Sequence, residues 1–267
     1  MNNQPIYNTQ REAYFGNTRN KYSVPPAKDI ETGHAIPVAA PVDSSSVSFA
    51  HFVNKTLNYV SMQIVLTMII SFWMYINRSD VIQAVSTNGL YLWGPIIMTF
   101  ISLFGLFKSD QGSCWQTTWF WTFTVSCSCM IGISVLSYAP DVVMKAVATT
   151  GVIVIGINAY SYYCAKTGRN FEFLEPILGS GLIALILVGV LNIFIKSNLL
   201  GSIITLFGIL IFVGFLLFDL NHLYTKNKDD EDYMADPMMS AVGIYLDIVN
   251  LFLYILEAYD KCQKNEC

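Results

Sequence analysis

Leu199–Phe218 reads LLGSIITLFGILIFVGFLLF, a run with no charged residue, and Asp219 follows at once. A second run, Met238–Leu256 (MMSAVGIYLDIVNLFLYIL), carries Asp247 near its middle. About 20 apolar residues make a helix roughly 30 Å long, the thickness of a bilayer's hydrocarbon core. A carboxylate at such depth costs ~2.5–3.5 kcal/mol even on the lenient insertion scale, so it usually lines a pathway or meets a buried partner. These two runs decide the fold, and their two aspartates frame the question of function.

The rest of the chain agrees with them. It is 54% hydrophobic and 13% charged, against roughly 25% charged for a soluble domain. Charge-free runs recur at Thr56–Asn77, Val81–Phe107, Gln111–Pro140, Ala146–Ala165, Pro176–Ile195 and Ser197–Phe218. With the Asp247 segment they make seven candidate spans. Runs of this length and apolarity satisfy their backbone as helices, not as barrel strands. The expected fold is all-α, a polytopic bundle of seven transmembrane helices whose last segment either spans or re-enters. The first apolar run starts too far in, and is too long, for a cleavable signal peptide, so the first span also directs insertion.

Residues 1–50 hold five of the nine prolines, many polar residues and no apolar periodicity. They read as a disordered cytosolic tail, with Val24–Val42 a solvated linker in preference to a polyproline docking segment. Residues 51–260 form the helical domain and 261–267 a short C-terminal tail. The Tyr224–Pro237 loop is acidic but lacks the Gly-centred ligand pattern of an EF-hand, and reads as a solvated turn. With the N-terminus inside, ten Lys and Arg lie on inner segments and five on outer ones, which favours a cytosolic N-terminus. If the last segment re-enters, the ratio becomes twelve to three, so charge leaves the C-terminus open.

Several chemistries are excluded or disfavoured. The net charge of −4, with scattered basic residues, carries no sign of nucleic-acid binding. Six cysteines form no framework and no metal-ligand spacing, and read as small packing residues. A metal-dependent intramembrane hydrolase needs several histidines at depth, and only His222 qualifies. Gly179-Ser180-Gly181 has no histidine partner in a span, so no enzyme is expected and no cofactor is implied. Gln63, Asn158 and Asn192 read as hydrogen-bond glue between helices. No GxxxG motif marks a helix-dimer face.

The aspartates carry the sharper reading. Helical spacing places Phe215, Leu216, His222 and Leu223 on the face of Asp219, and Gly243, Ile244, Asn250 and Leu251 on that of Asp247. Each carboxylate therefore has one polar neighbour a turn away, His222 or Asn250, and Glu257 follows further along. If the two spans pack together, the pair can share one proton, or contact a cation such as Ca²⁺ when both are ionised. The plainer alternative is that each aspartate pins a helix end, which is the stronger objection for Asp219.

At these residues the chain resembles a known family. GFLLFDLNHL at 214–223, an acidic loop with Asp232-Tyr233, and IYLDIVNLFLY at 244–254 look like the C-terminal signature of the transmembrane Bax inhibitor motif family. The wording is nearest its Golgi anti-apoptotic and Lifeguard-like branches. FVNKTLNYVSMQIVLT at 52–67 resembles the family's first span, and Thr149-Thr150-Gly151, Ala159-Tyr160 and Lys166-Thr167-Gly168 fit its fourth span and the next loop. The resemblance implies a seven-helix bundle of the Golgi or endoplasmic reticulum, a proton-sensitive calcium leak and suppression of cell death. It also implies that Asp219 and Asp247 form a di-aspartyl pH sensor. One departure is plain. Bacterial members can pair the first aspartate with a basic residue on the second span, whereas Gly89–Phe107 has no Lys or Arg. His222 is then the candidate latch. The rival expectation is a non-conducting membrane scaffold that controls apoptosis by binding other membrane proteins.

Overall fold

The computed structural model describes residues 44–169, 171–225 and 236–264, and every regular element among them is a helix. In chain order these are α1 (Ser44–Ile76), α2 (Arg78–Thr87), α3 (Leu90–Lys108), α4 (Cys114–Val135), α5 (Pro140–Lys166), α6 (Leu174–Ile195), α7 (Asn198–Thr225) and α8 (Pro237–Gln263). All but α2 are long and apolar enough to cross a membrane, so seven spans stand where seven were expected. The reading of residues 1–43 as a disordered tail, and most of the acidic loop, lie outside the described residues.

Local chemistry sets the helix ends. Ser113 caps α4 by accepting from the Gln116 N–H at 3.1 Å, while Gln116 Oε1 accepts from the Gly112 N–H at 2.7 Å. Together the two bonds satisfy backbone donors on either side of the helix start. Asp236 caps α8 through the Met238 N–H at 2.9 Å, with Pro237 at the first helical position, where its missing donor costs nothing. Lys196 closes α6 in the left-handed region, at φ 54° and ψ 41°, and turns the chain directly into α7.

Three details differ from the sequence reading. The single run Val81–Phe107 is two helices. Asn88 is extended, at φ −139° and ψ 111°, and its Oδ1 accepts from the Leu90 N–H at 3.0 Å, so the turn competes with the helix at Asn88-Gly89. The first helix begins at Ser44, inside the stretch assigned to the tail, because Phe52 and Val53 bury into the core and Phe49 packs on it. Cys262 is disulfide-bonded, and Cys114 is exposed, so neither serves packing as expected. Spacing alone does not disclose connectivity.

Burial ranks the helices. Half of the most apolar window is buried in α4 and α8, against 11–28% in the other five spans. The outward faces remain apolar, with Phe100 and Phe194 among many large exposed side chains, as a lipid-facing surface requires. The centre carries hydroxyls and amides paired between helices. Gln63 of α1 donates to Thr124 of α4 at 3.0 Å, and the Thr67 hydroxyl lies 2.8 Å from both Ser128 of α4 and Tyr245 of α8. Tyr224 of α7 donates to Asn158 of α5 at 2.6 Å. Gln63 and Asn158 are thus the expected glue. Asn192 is not, since its Oδ1 accepts from the Ser197 N–H at the end of its own helix.

α7 and α8 run antiparallel in close contact, and α8 is one unbroken helix along that contact. A Cβ added to Gly208 would meet the Tyr254 ring at 2.5 Å, and that ring stacks on Phe212 at 5.7 Å. Small residues let helix backbones approach where lipid offers no hydrophobic drive for association. Gly208→Val is expected to lower the unfolding midpoint of the detergent-solubilised protein, by about 1–3 kcal/mol of overpacking. Much of that loss should return in a Gly208→Val, Tyr254→Leu double variant.

Candidate functional site

Asp219 lies near the end of α7 and Asp247 lies within α8. The antiparallel contact sets the two carboxyl groups side by side. Two ionised carboxylates are both acceptors, so a hydrogen bond between them requires one proton to be held by the pair. Asp247 is buried, at 7% exposure, and its Oδ2 has no hydrogen-bond partner. Asp219 is only partly buried.

The close approach depends on Gly243. A Cβ built there would fall 2.9 Å from Asp219 Oδ2. Gly243 sits one turn before Asp247 on the same face of α8, so it clears the space that Asp219 crosses to reach its partner. Helical spacing named Gly243 as a neighbour of Asp247. That it faces α7 required the packed structure.

A cavity of about 120 Å³ adjoins Asp219 and is lined also by His222, Phe52, Met239, Ser240 and Gly243 among others. It is roomy enough for several waters. Phe52 comes from the start of α1, and no pattern in the sequence linked it to Asp219. His222 shares the cavity with Asp219 and stacks its ring on Phe218 at 5.9 Å.

The other two supporting residues are placed elsewhere. Asn250 donates to the Leu246 carbonyl of its own helix at 2.8 Å, a bond that takes its amide away from Asp247. Glu257 pairs with Lys261 at 2.6 Å. It lies ten residues beyond Asp247, roughly 15 Å along the helix. Among the described residues no group of three or more His, Cys, Asp or Glu is assembled to hold a metal. Ca²⁺ takes 6–8 oxygens when bound firmly. Two neighbouring carboxylates, one of them lining a cavity, suit a hydrated cation in passage better than a resident ion.

Outside the spans, Asp236 is one titratable group with a defined displacement. Burial pushes its carboxyl above the usual range, opposed by the Met238 N–H bond and by Lys55.

A membrane-embedded bundle of seven helices, with a central helix that brings a carboxylate against a second carboxylate, defines the class. The profile of the family described as "Inhibitor of apoptosis-promoting Bax1" matches residues 49–264. The chain belongs to that family, as the C-terminal signature suggested. It is similar to Protein LIFEGUARD 1 of Arabidopsis thaliana, with 30% identity over 85% of the chain and 96% of the relative. Protein LIFEGUARD 4 of the same plant is 29% identical over 78% of the chain and 83% of its own length. The Golgi anti-apoptotic protein of Vaccinia virus (strain Lister) is 32% identical over 53% of the chain and 56% of its own length.

Two outcomes follow from this geometry. In infrared difference spectra, the carboxylic C=O band lost in Asp219→Asn should shift in Gly243→Ala, where the added methyl pushes Asp219 away. An unmoved band would contradict the contact. For Asp236, a raised folded pKa means the folded state holds the proton more tightly than the unfolded chain. Ionisation therefore subtracts stability as the pH climbs past the ordinary carboxylate range. Asp236→Asn keeps the cap and removes the titration. Its unfolding midpoint relative to wild type should be higher at about pH 8 than at about pH 4.

Proposed function

We infer that this protein is a pH-modulated calcium leak of an intracellular membrane, and that it acts to suppress cell death. The observation that carries the reading is the carboxyl pair set side by side across the α7–α8 contact, with Asp219 lining a cavity. With one proton between them, Asp219 and Asp247 tie the two helices together. Loss of that proton leaves two negative charges in contact, which repel each other and attract cations. Below the pair, Tyr254 and Phe212 fill the seam, as expected of a closed conformation. Deprotonation thus favours both parting of the seam and entry of a cation. The leak should rise with pH.

The setting follows from the relatives and from charge. The Golgi anti-apoptotic protein and the Lifeguard proteins support a place in the endomembranes, Golgi or endoplasmic reticulum, and a role in apoptosis. The excess of Lys and Arg on inner segments supports a cytosolic N-terminus. The partners proposed are the bilayer, calcium ions and other membrane proteins of the apoptotic machinery. An enzymatic role finds no support at Ser180, whose hydroxyl donates to the Ile177 carbonyl of its own helix at 3.0 Å.

The test is calcium flux into dye-loaded liposomes holding the purified full chain, recorded between about pH 5.5 and pH 8. Wild type should leak more as the pH rises. Asp219→Asn and Asp247→Asn should each flatten the dependence. Folded protein with no flux above empty liposomes at any pH would transfer the reading to the non-conducting scaffold. So would full suppression of cell death by both Asn variants.

A further inference from the structure

The α7–α8 seam is built on three contacts in one register. Asp219 faces Gly243, Gly208 faces Tyr254, and Gly201 faces Lys261. Successive contacts are 11 and then 7 residues apart on both helices, so one face of each helix meets the other throughout. The first and last are 18 residues apart, roughly 27 Å of helix rise, close to the thickness of the hydrocarbon core. The acidic pair and Lys261 therefore stand at opposite ends of a single membrane-deep seam.

Lys261 is held in an unusual direction. A lysine near the end of a span ordinarily extends outward to reach water. Here the side chain turns back along α8 and donates to Thr205 at 2.8 Å, a full turn deeper in α7 than Gly201, the residue it faces. Thr205 is buried, at 3% exposure. The same ammonium lies 2.6 Å from Glu257, and only 17% of the Lys261 side chain is exposed. Gly201 leaves the room, since a Cβ there would meet the Lys261 nitrogen at 3.2 Å and the Asn192 amide nitrogen at 3.4 Å. Tyr259, two residues earlier on α8, bonds Thr149 of α5 at 2.8 Å and steadies the end of the helix.

The geometry points to Lys261 as a cationic plug at the far mouth of the seam, held in place by Glu257 and Thr205. It rests on the leak reading for the direction of the flux it opposes. An ammonium held largely buried at the end of this seam repels an approaching cation strongly, because little water intervenes to screen it. Glu257 tempers that repulsion and Thr205 sets its depth. The passage thus has two barriers of different kinds. The acidic pair responds to protons at one end, and a fixed positive charge limits cation exit at the other. Removing the ammonium lowers the second barrier and leaves the proton response intact.

The variants have opposite expected signs. In the liposome assay Lys261→Met, similar in shape but uncharged, should raise calcium flux about tenfold, whereas Lys261→Arg should match wild type. Glu257→Gln exposes the ammonium and should reduce flux below wild type. Thr205→Val, which removes the acceptor, should give a smaller rise than Lys261→Met. All retain the dependence on pH. Thermal unfolding of each variant separates a plug from a tether, because a purely structural pair would lower stability in Lys261→Met and Glu257→Gln alike and move flux the same way in both. Flux in Lys261→Met equal to a conducting wild type, or changes of one sign in both variants, would overturn the plug while leaving the leak standing. Silent wild type with a conducting Lys261→Met would support the plug. Silence in every folded variant would overturn both.

Discussion

Two helices held at backbone distance along most of their length organise this molecule. Lipid gives apolar helices little reason to prefer one another over the surrounding chains, so α7 and α8 associate through close packing and polar pairing. Gly208 admits the Tyr254 ring, Gly243 admits the Asp219 carboxyl, and Gly201 admits the Lys261 ammonium. Each glycine lies on one helix and receives a large or polar side chain from the other. α8 is in turn held through Tyr245 by the Thr67 hydroxyl of α1, which also meets Ser128 of α4. The depth of Asp247 is consequently fixed from both sides.

This arrangement explains how a carboxyl group is tolerated at such depth. Two separate charges there are expensive, but two carboxyls that hold one proton between them carry a single charge, stabilised within the pair. The remaining buried oxygen, Asp247 Oδ2, has no bonding partner. An incompletely satisfied polar atom inside a tight contact is a weak point by construction, and weak points of this kind accompany function more often than folding. The seam combines a rigid contact over most of its length with a charge-sensitive junction at one end.

Much of the site was legible along the chain. Asp219 and Asp247 stand out because each breaks the apolar pattern of a span, and their spacing to Gly243 and His222 follows from helical geometry. Their partnership was not legible, because it depends on the antiparallel register of α7 and α8. Asn250 illustrates the limit. Helical spacing placed it near Asp247, but its amide bonds its own backbone, an option every Asn in a helix retains. Glu257 was likewise visible as a carboxylate near a span end, while its engagement with Lys261 and the depth of Thr205 appear only in the packed bundle.

By itself, then, the sequence determined the number of spans, their helical character and the family, because a bilayer imposes one length and one backbone solution on any chain that crosses it. Apolar runs of that kind are readable without knowing their neighbours. Only the tertiary structure decided which helices are central, that Val81–Phe107 breaks at Asn88, that the last helix runs unbroken beside α7, and which polar group meets which. Those outcomes rest on contacts between residues far apart in the chain, at distances of a few ångströms that no local pattern encodes.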